Sequence, residues 1–310
     1  MSNSRRNLYF ILFSLALVAA MSSPLRALIA FALDTENSHA SQIVLIPFIS
    51  AALIYMNRKN IFQSIHYSVV PGVLFMILGA GMLVAGKTAG IYLKDDDHLA
   101  LLTAATVVLW LGGFLLFYGS RAFRTAVFPL MFLVFFIPIP SVILDRTIAF
   151  LQRGSAEMAY VILKLSGTPV LRESAYIFRL PDLVIEVAPA CSGIRSGISL
   201  LISSLLAGHL FLRSAWRRSA LVIVAIPVLL FKNALRIGTL SYLAVHVDKR
   251  ILTSELHREG GIPFFVLGLL LLYPVLAILI RSENKTTAKE PETTVTLKPV
   301  TVSNTKFGHY

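Results

Sequence analysis

Eight stretches of this chain are apolar for long enough to cross, or nearly cross, the hydrocarbon of a bilayer, and that repetition limits the fold more than any motif does. They run Leu8 to Leu33, Gln42 to Met56, Tyr67 to Gly86, Leu99 to Tyr118, Ala122 to Ile139, Ser192 to Leu212, Ala220 to Val245 and Ile262 to Ile280. A helix rises about 1.5 Å per residue, so roughly 20 apolar residues carry it across. We therefore expect an all-α polytopic membrane protein of about eight transmembrane helices. Composition agrees, with 56% apolar and only 14% charged residues and a mean hydropathy of +0.76. The first run contains Pro24 and Arg26, which predict a kinked end. It is too long for the apolar part of a cleaved signal peptide and is expected to remain in the protein.

The formal charge of +12 points to membrane orientation rather than to nucleic acid, because Lys and Arg sit in short clusters between apolar runs and not along one polar face. With eight spans, Arg5 and Arg6, Arg58 and Lys59, Arg121 and Arg124, the Arg213, Arg217 and Arg218 cluster and the tail from Arg281 all fall on one side. Basic short loops mark the cytoplasm, so both termini are expected there. The opposite side receives Asp34 to Ala40, Lys87 to His98, the long segment Pro140 to Pro189, and His246 to Gly261. Residues 1–281 read as one transmembrane domain. Residues 282–310 are rich in Thr, Lys, Glu and Pro and read as a disordered cytoplasmic tail.

Within the long outer segment, Val142 to Leu165 carries apolar residues at helical spacing, interrupted by Asp145, Arg146, Gln152, Arg153 and Glu157. That pattern predicts an extracytoplasmic helix lying at the interface. Val170 to Leu180 and Leu183 to Val187, joined at Pro181-Asp182, predict a short β-hairpin. The hairpin delivers the chain to Ala188-Pro-Ala-Cys-Ser-Gly-Ile-Arg195, which holds the only cysteine, Cys191.

A lone cysteine packs as a small hydrophobe as readily as it reacts. Cys191, however, sits in a first helical turn, where unpaired N–H groups favour a thiolate, and small neighbours leave room for a peptide. Arg236, in Lys232-Asn-Ala-Leu-Arg-Ile-Gly238, falls near the outer end of its span. An arginine there either snorkels to the interface or has a task. Asn233, three residues earlier, shares its helix face and is expected to fix the guanidinium by hydrogen bonding. A guanidinium beside the thiol would assist ionisation or stabilise an oxyanion. His257, in Leu256-His-Arg-Glu-Gly-Gly-Ile-Pro263, lies in the outer loop between the last two spans. An imidazole there would take the thiol proton and return it to a leaving amine. His39, His98 and His246 are rival bases on the same side, whereas His66 and His209 fall on the other.

At these residues the chain resembles the exosortase/archaeosortase membrane transpeptidases. The matching elements are Ala190-Cys-Ser-Gly-Ile194, Asn233-Ala-Leu-Arg-Ile237 and His257-Arg-Glu-Gly-Gly261, in that order. The resemblance extends from about Ser38-His39, through Ile137-Pro-Ile-Pro140, to the last span. It implies that Cys191, Arg236 and His257 are the catalytic set, that no cofactor or metal is used, and that the chain sits in a bacterial inner membrane with its active site on the outer face. It also implies cleavage of PEP-CTERM-type C-terminal sorting signals, made of a short motif, one transmembrane helix and a basic cluster. A thioester on Cys191 would pass the secreted protein to an acceptor, lipid- and polysaccharide-linked amines being candidates. The histidine at the third position, where archaeal relatives often have arginine, points to the bacterial branch.

Three further residues are weaker candidates. Glu186 would orient Arg236 or His257, Arg195 would be a second cation at the site or meet a lipid head group, and His39 would line the outer vestibule. No His or Cys cluster has metal-ligand spacing, and no phosphate-binding glycine loop appears. Two alternatives stay open. One is an intramembrane-type cysteine protease ending in hydrolysis. The other is a transporter or scaffold with Arg236 and Lys232 along a polar path, although neither internal repeats nor intramembrane carboxylates support it.

Overall fold

A computed structural model describes residues 3–34, 40–63, 69–89, 92–181, 183–248, 250–251 and 261–289. The described residues are mostly helical. Helices α1 (Asn3–Ala20) and α2 (Ser22–Leu33) meet at a 72° bend, and a 3-10 turn leads into α3 (Ile46–Met56) and the single turn α4 (Arg58–Ile61). Then come α5 (Val69–Ala89), α6 (Asp95–Thr125) and α7 (Val127–Phe132), the last running through a 3-10 turn at Leu133–Phe136. An 89° bend leads to α8 (Ser141–Leu165). The second half holds α9 (Ile194–Phe211), α10 (Ala215–His246) and α11 (Gly261–Lys289).

Among the described residues, five helices are long and apolar enough to cross a membrane, or seven if each bent pair is one span. The protein is a multi-pass membrane protein. Two of the eight expected spans take other forms. The stretch from Gln42 gives an apolar helix, Ile43–Met56, shorter than a bilayer requires, and the stretch from Ala122 becomes the first arm of the bent pair with α8. Large apolar side chains face outward along α1 (Leu8, Ile11, Leu15), α5 (Val70, Leu74, Ile77) and α11 (Leu270, Tyr273, Ile278). Such a surface is stable only against hydrocarbon.

Polar residues at helix ends tie the bundle together. Asp95, Asp96 and Asp97 lie in the first turn of α6, where they complement the helix dipole. The Asp97 carboxylate also accepts the Ser141 backbone N–H at 2.6 Å and its hydroxyl at 2.7 Å, which fixes the start of α8. At the other end of the bundle, buried Glu283 on α11 accepts the backbone N–H groups of Arg213 and Ser214, at 2.9 and 2.7 Å, between α9 and α10. Helix α11 runs on past Arg281 to Lys289. The rest of the expected disordered tail, residues 290–310, lies outside the described residues.

The segment after α8 is a three-stranded antiparallel sheet instead of a simple hairpin. Strand β1 (Leu171–Arg172) adds to the outer edge of β2 (Ile177–Leu180), which pairs with β3 (Leu183–Glu186). Arg172 makes a two-pronged contact with Glu157 of α8, at 2.8 and 2.6 Å. Buried Phe178 and Val187 pack on Ala156 and Ala159 of α8 and on Ala234 and Ile237 of α10. The expected interfacial helix α8 is therefore the floor on which the sheet rests. Small residues let these helices approach closely: Gly154 meets Leu230, Gly238 meets Ile162, and Gly197 meets Leu229.

Candidate active site

Cys191 lies in a single 3-10 turn, Pro189–Ser192, between the sheet and α9. Its backbone N–H donates to the Ala188 carbonyl at 2.8 Å, and its side chain is half-buried. The turn ends at Gly193, whose φ of +79° is the left-handed conformation that lets the chain swing into α9. From there Ser196 Oγ bonds back to the Gly193 carbonyl at 3.2 Å.

Helix α10 supplies the facing wall. Its buried stripe, Leu221, Ala225, Leu229, Lys232, Ile237 and Leu240, continues at helical spacing straight through polar residues. Asn233 on this stripe donates to the Cys191 carbonyl at 2.9 Å and to Ser155 Oγ of α8 at 3.0 Å. It is 99% buried, and its bond to Ser155 forms away from solvent. Asn233 therefore clamps the cysteine turn, whereas the sequence pointed to a clamp on Arg236. Gln152 of α8 gives parallel support, donating to the Val187 carbonyl at 2.5 Å. Both α8 residues are buried polar groups three positions apart on one face. That was the available signal for them.

A cleft of about 40 Å³ opens beside the sulfur, lined by Ile185, Glu186, Val187, Cys191, Arg236 and Ser241 among others. The structure thus brings Arg236 of α10 to Cys191 and Glu186, which are close neighbours in sequence but far from Arg236. Arg236 is half-buried and lines the cleft together with Cys191. Lys232, fully buried one turn earlier on α10, donates to Ser196 Oγ. Its place on the apolar stripe was the sequence signal for a buried cation. Arg195 is exposed on α9 and does not line the cleft. His246 caps α10, with its ring stacked on Tyr242 at 4.1 Å and its Nδ1 3.0 Å from the Tyr242 carbonyl. His209 stacks on Phe128 at the far end of α9. His39 and His257 lie outside the described residues.

A cysteine turn held by its backbone, with a guanidinium across a narrow cleft, is an arrangement suited to covalent acyl chemistry. A model of the transmembrane exosortase family matches residues 34–274. The chain belongs to the transmembrane exosortase family. Its members are cysteine-dependent sorting transpeptidases of membranes, acting on proteins that carry sorting signals. The matched region takes in the cysteine turn, the Arg236 motif and the histidine loop of this exosortase. No curated protein and no solved structure matches the chain.

The geometry of the turn gives a stability prediction. A side chain at Gly193 would place its Cβ 2.7 Å from Asn233 Cγ and Oδ1, besides straining a left-handed backbone. Gly193→Ala is therefore expected to destabilise this exosortase by about 1–3 kcal/mol and to displace Asn233 from the Cys191 carbonyl. Thermal unfolding in detergent reads the first effect and substrate processing the second. A variant with wild-type values for both would show that the turn tolerates the shift.

Proposed function

We propose that this exosortase is a cysteine transpeptidase that cleaves PEP-CTERM-like C-terminal sorting signals on the outer face of a bacterial inner membrane, with both termini in the cytoplasm. The observation that supports it most is the shared cleft of Cys191 and Arg236. In this reading Cys191 Sγ attacks the scissile carbonyl, and the thiol proton passes to His257. Arg236 neutralises the oxyanion of the tetrahedral intermediate. Collapse of that intermediate breaks the C–N bond, His257 protonates the departing amine, and a thioester remains on Cys191. An acceptor amine then attacks the thioester, restores the thiol and leaves the secreted protein joined to the acceptor. Glu186, at the rim of the same cleft, would orient the basic partners of the thiol.

Mass spectrometry of the new C-terminus on a processed substrate tests this directly. An adduct is the expected result. A free carboxylic acid would instead make the enzyme a hydrolytic cysteine protease, and an uncut substrate would favour the non-enzymatic reading. The choice of base has its own comparison. His257→Ala is expected to lower processing by about a hundredfold or more, the usual contribution of a positioned acid–base group, whereas His246→Ala should leave it near wild type. Loss with His246→Ala alone would transfer the role to that residue.

A further inference from the structure

A second cavity, of about 530 Å³, lies in the other half of the bundle between α1, α3 and α6. Its walls are almost wholly apolar, with Phe10, Ile54, Trp110 and Phe114 among them. The polar groups in or beside it are bonded within the protein. Ser50 Oγ donates to the Pro129 carbonyl at 2.7 Å, Thr106 Oγ to the Leu102 carbonyl at 2.8 Å, and Trp110 Nε1 to Ser14 Oγ at 3.2 Å. Water has nothing to bond there, so the cavity favours hydrocarbon.

One end of the cavity is cationic. Arg58 lines it, with its guanidinium stacked 3.9 Å from the ring centroid of Tyr55. Tyr118 lines the same end, and its ring contacts Phe62, one turn beyond Arg58, at 4.8 Å. Arg6 covers the Tyr118 ring at 5.4 Å. Arg6 is 95% buried, and its Nε has no hydrogen-bond partner and no carboxylate in ion-pair range among the described residues. Arg6 does not line the cavity itself but stands behind the Tyr118 ring, and so deeply set a cation with no carboxylate beside it favours an anion at that end. Lys59, exposed beside Arg58, adds to the positive end.

Size selects the occupant. From Thr106 to Tyr118 the cavity follows α6 for about 18 Å, close to the depth of one leaflet of a roughly 30 Å hydrocarbon core. A transmembrane helix is about 30 Å long, well beyond the stretch of α6 that the cavity follows. A single lipid chain fits the range of about 300–1,000 Å³ typical of ligand cavities. We propose that the cavity holds one acyl chain of an anionic phospholipid whose phosphate is met by Arg58 and attracted by the charge of Arg6 behind Tyr118. The site is remote from the chemistry. Cys191 precedes the start of α9, whereas the end of α9 reaches Phe128, just after α6.

The test uses the full chain reconstituted in vesicles of equal parts phosphatidylglycerol and phosphatidylethanolamine, then extracted in mild detergent, with retained lipid measured by mass spectrometry. Wild type is expected to retain phosphatidylglycerol in preference. Arg58→Gln should reduce that preference about fivefold, the factor one basic residue contributes at an anionic surface, without reducing total lipid. Ala51→Trp, at an exposed residue lining the cavity, should expel the lipid while the melting temperature holds. Equal head-group composition in wild type and Arg58→Gln would overturn the proposal, as would undiminished lipid in Ala51→Trp. Displacement of lipid by a single-span sorting-signal peptide would identify a substrate helix as the occupant and overturn it too. If Ala51→Trp does not fold, the Arg58→Gln comparison still decides.

Discussion

Cys191→Ala is expected to lower processing of a co-expressed sorting-signal substrate by at least about a thousandfold, because it removes the proposed nucleophile and with it the thioester. The exosortase should still insert and fold. The contacts that hold the turn belong to the Cys191 backbone, whose N–H meets Ala188 and whose carbonyl meets Asn233. Alanine keeps both. Detergent unfolding of the variant should therefore match wild type within about 1 kcal/mol, the loss of one half-buried sulfur. Immunoblotting of precursor and product alongside membrane levels of the enzyme separates the two effects. Undiminished processing by a normally inserted variant would remove Cys191 from the mechanism and leave it as a packing residue.

Changes at Arg236 are expected to come next in size. Arg236→Gln removes the positive charge facing the cleft and should reduce the rate by about 10²–10³, the range for loss of one oxyanion donor. Arg236→Lys keeps a charge but loses the planar, multi-donor guanidinium, and a reduction of about tenfold to a hundredfold is expected. The loss should fall on kcat more than on KM, since the interaction strengthens only as the oxyanion develops. Wild-type activity in the lysine variant would mean that Arg236 acts only as a charge. Lys232 cannot substitute for it, because Lys232 is buried against Ser196 of α9 and does not line the cleft.

Much of the exosortase architecture was legible because hydrocarbon imposes a simple length rule. Spans at α5, α6, α9, α10 and α11 follow from runs of apolar residues, since each run must bury its own backbone hydrogen bonds. The rule failed where a run was short or bent. Ile43–Met56 cannot cross alone, and the stretch from Ala122 turns through 89° after Phe136 into α8. Length counts the residues in a run but carries no information about its direction. The chemistry was legible to a similar depth. Cys191 and Arg236 stood out by their local motifs, and the structure places both on one cleft.

The sequence by itself determined that this is a multi-pass helical protein and which family it belongs to, and it singled out the short motifs proposed to carry the chemistry. Each of these follows from residue type and spacing along one element. Only the tertiary structure decided which groups touch. Asn233 shares a helix face with Arg236 by periodicity, yet its hydrogen bonds go to Cys191 and Ser155, on two other elements. Likewise, the cationic end of the apolar cavity joins Arg6 of α1 to Arg58 of α4 through Tyr118 of α6. Helical spacing fixes the face a residue occupies, whereas the identity of the opposing element is set by how bent helices and small residues let the bundle close.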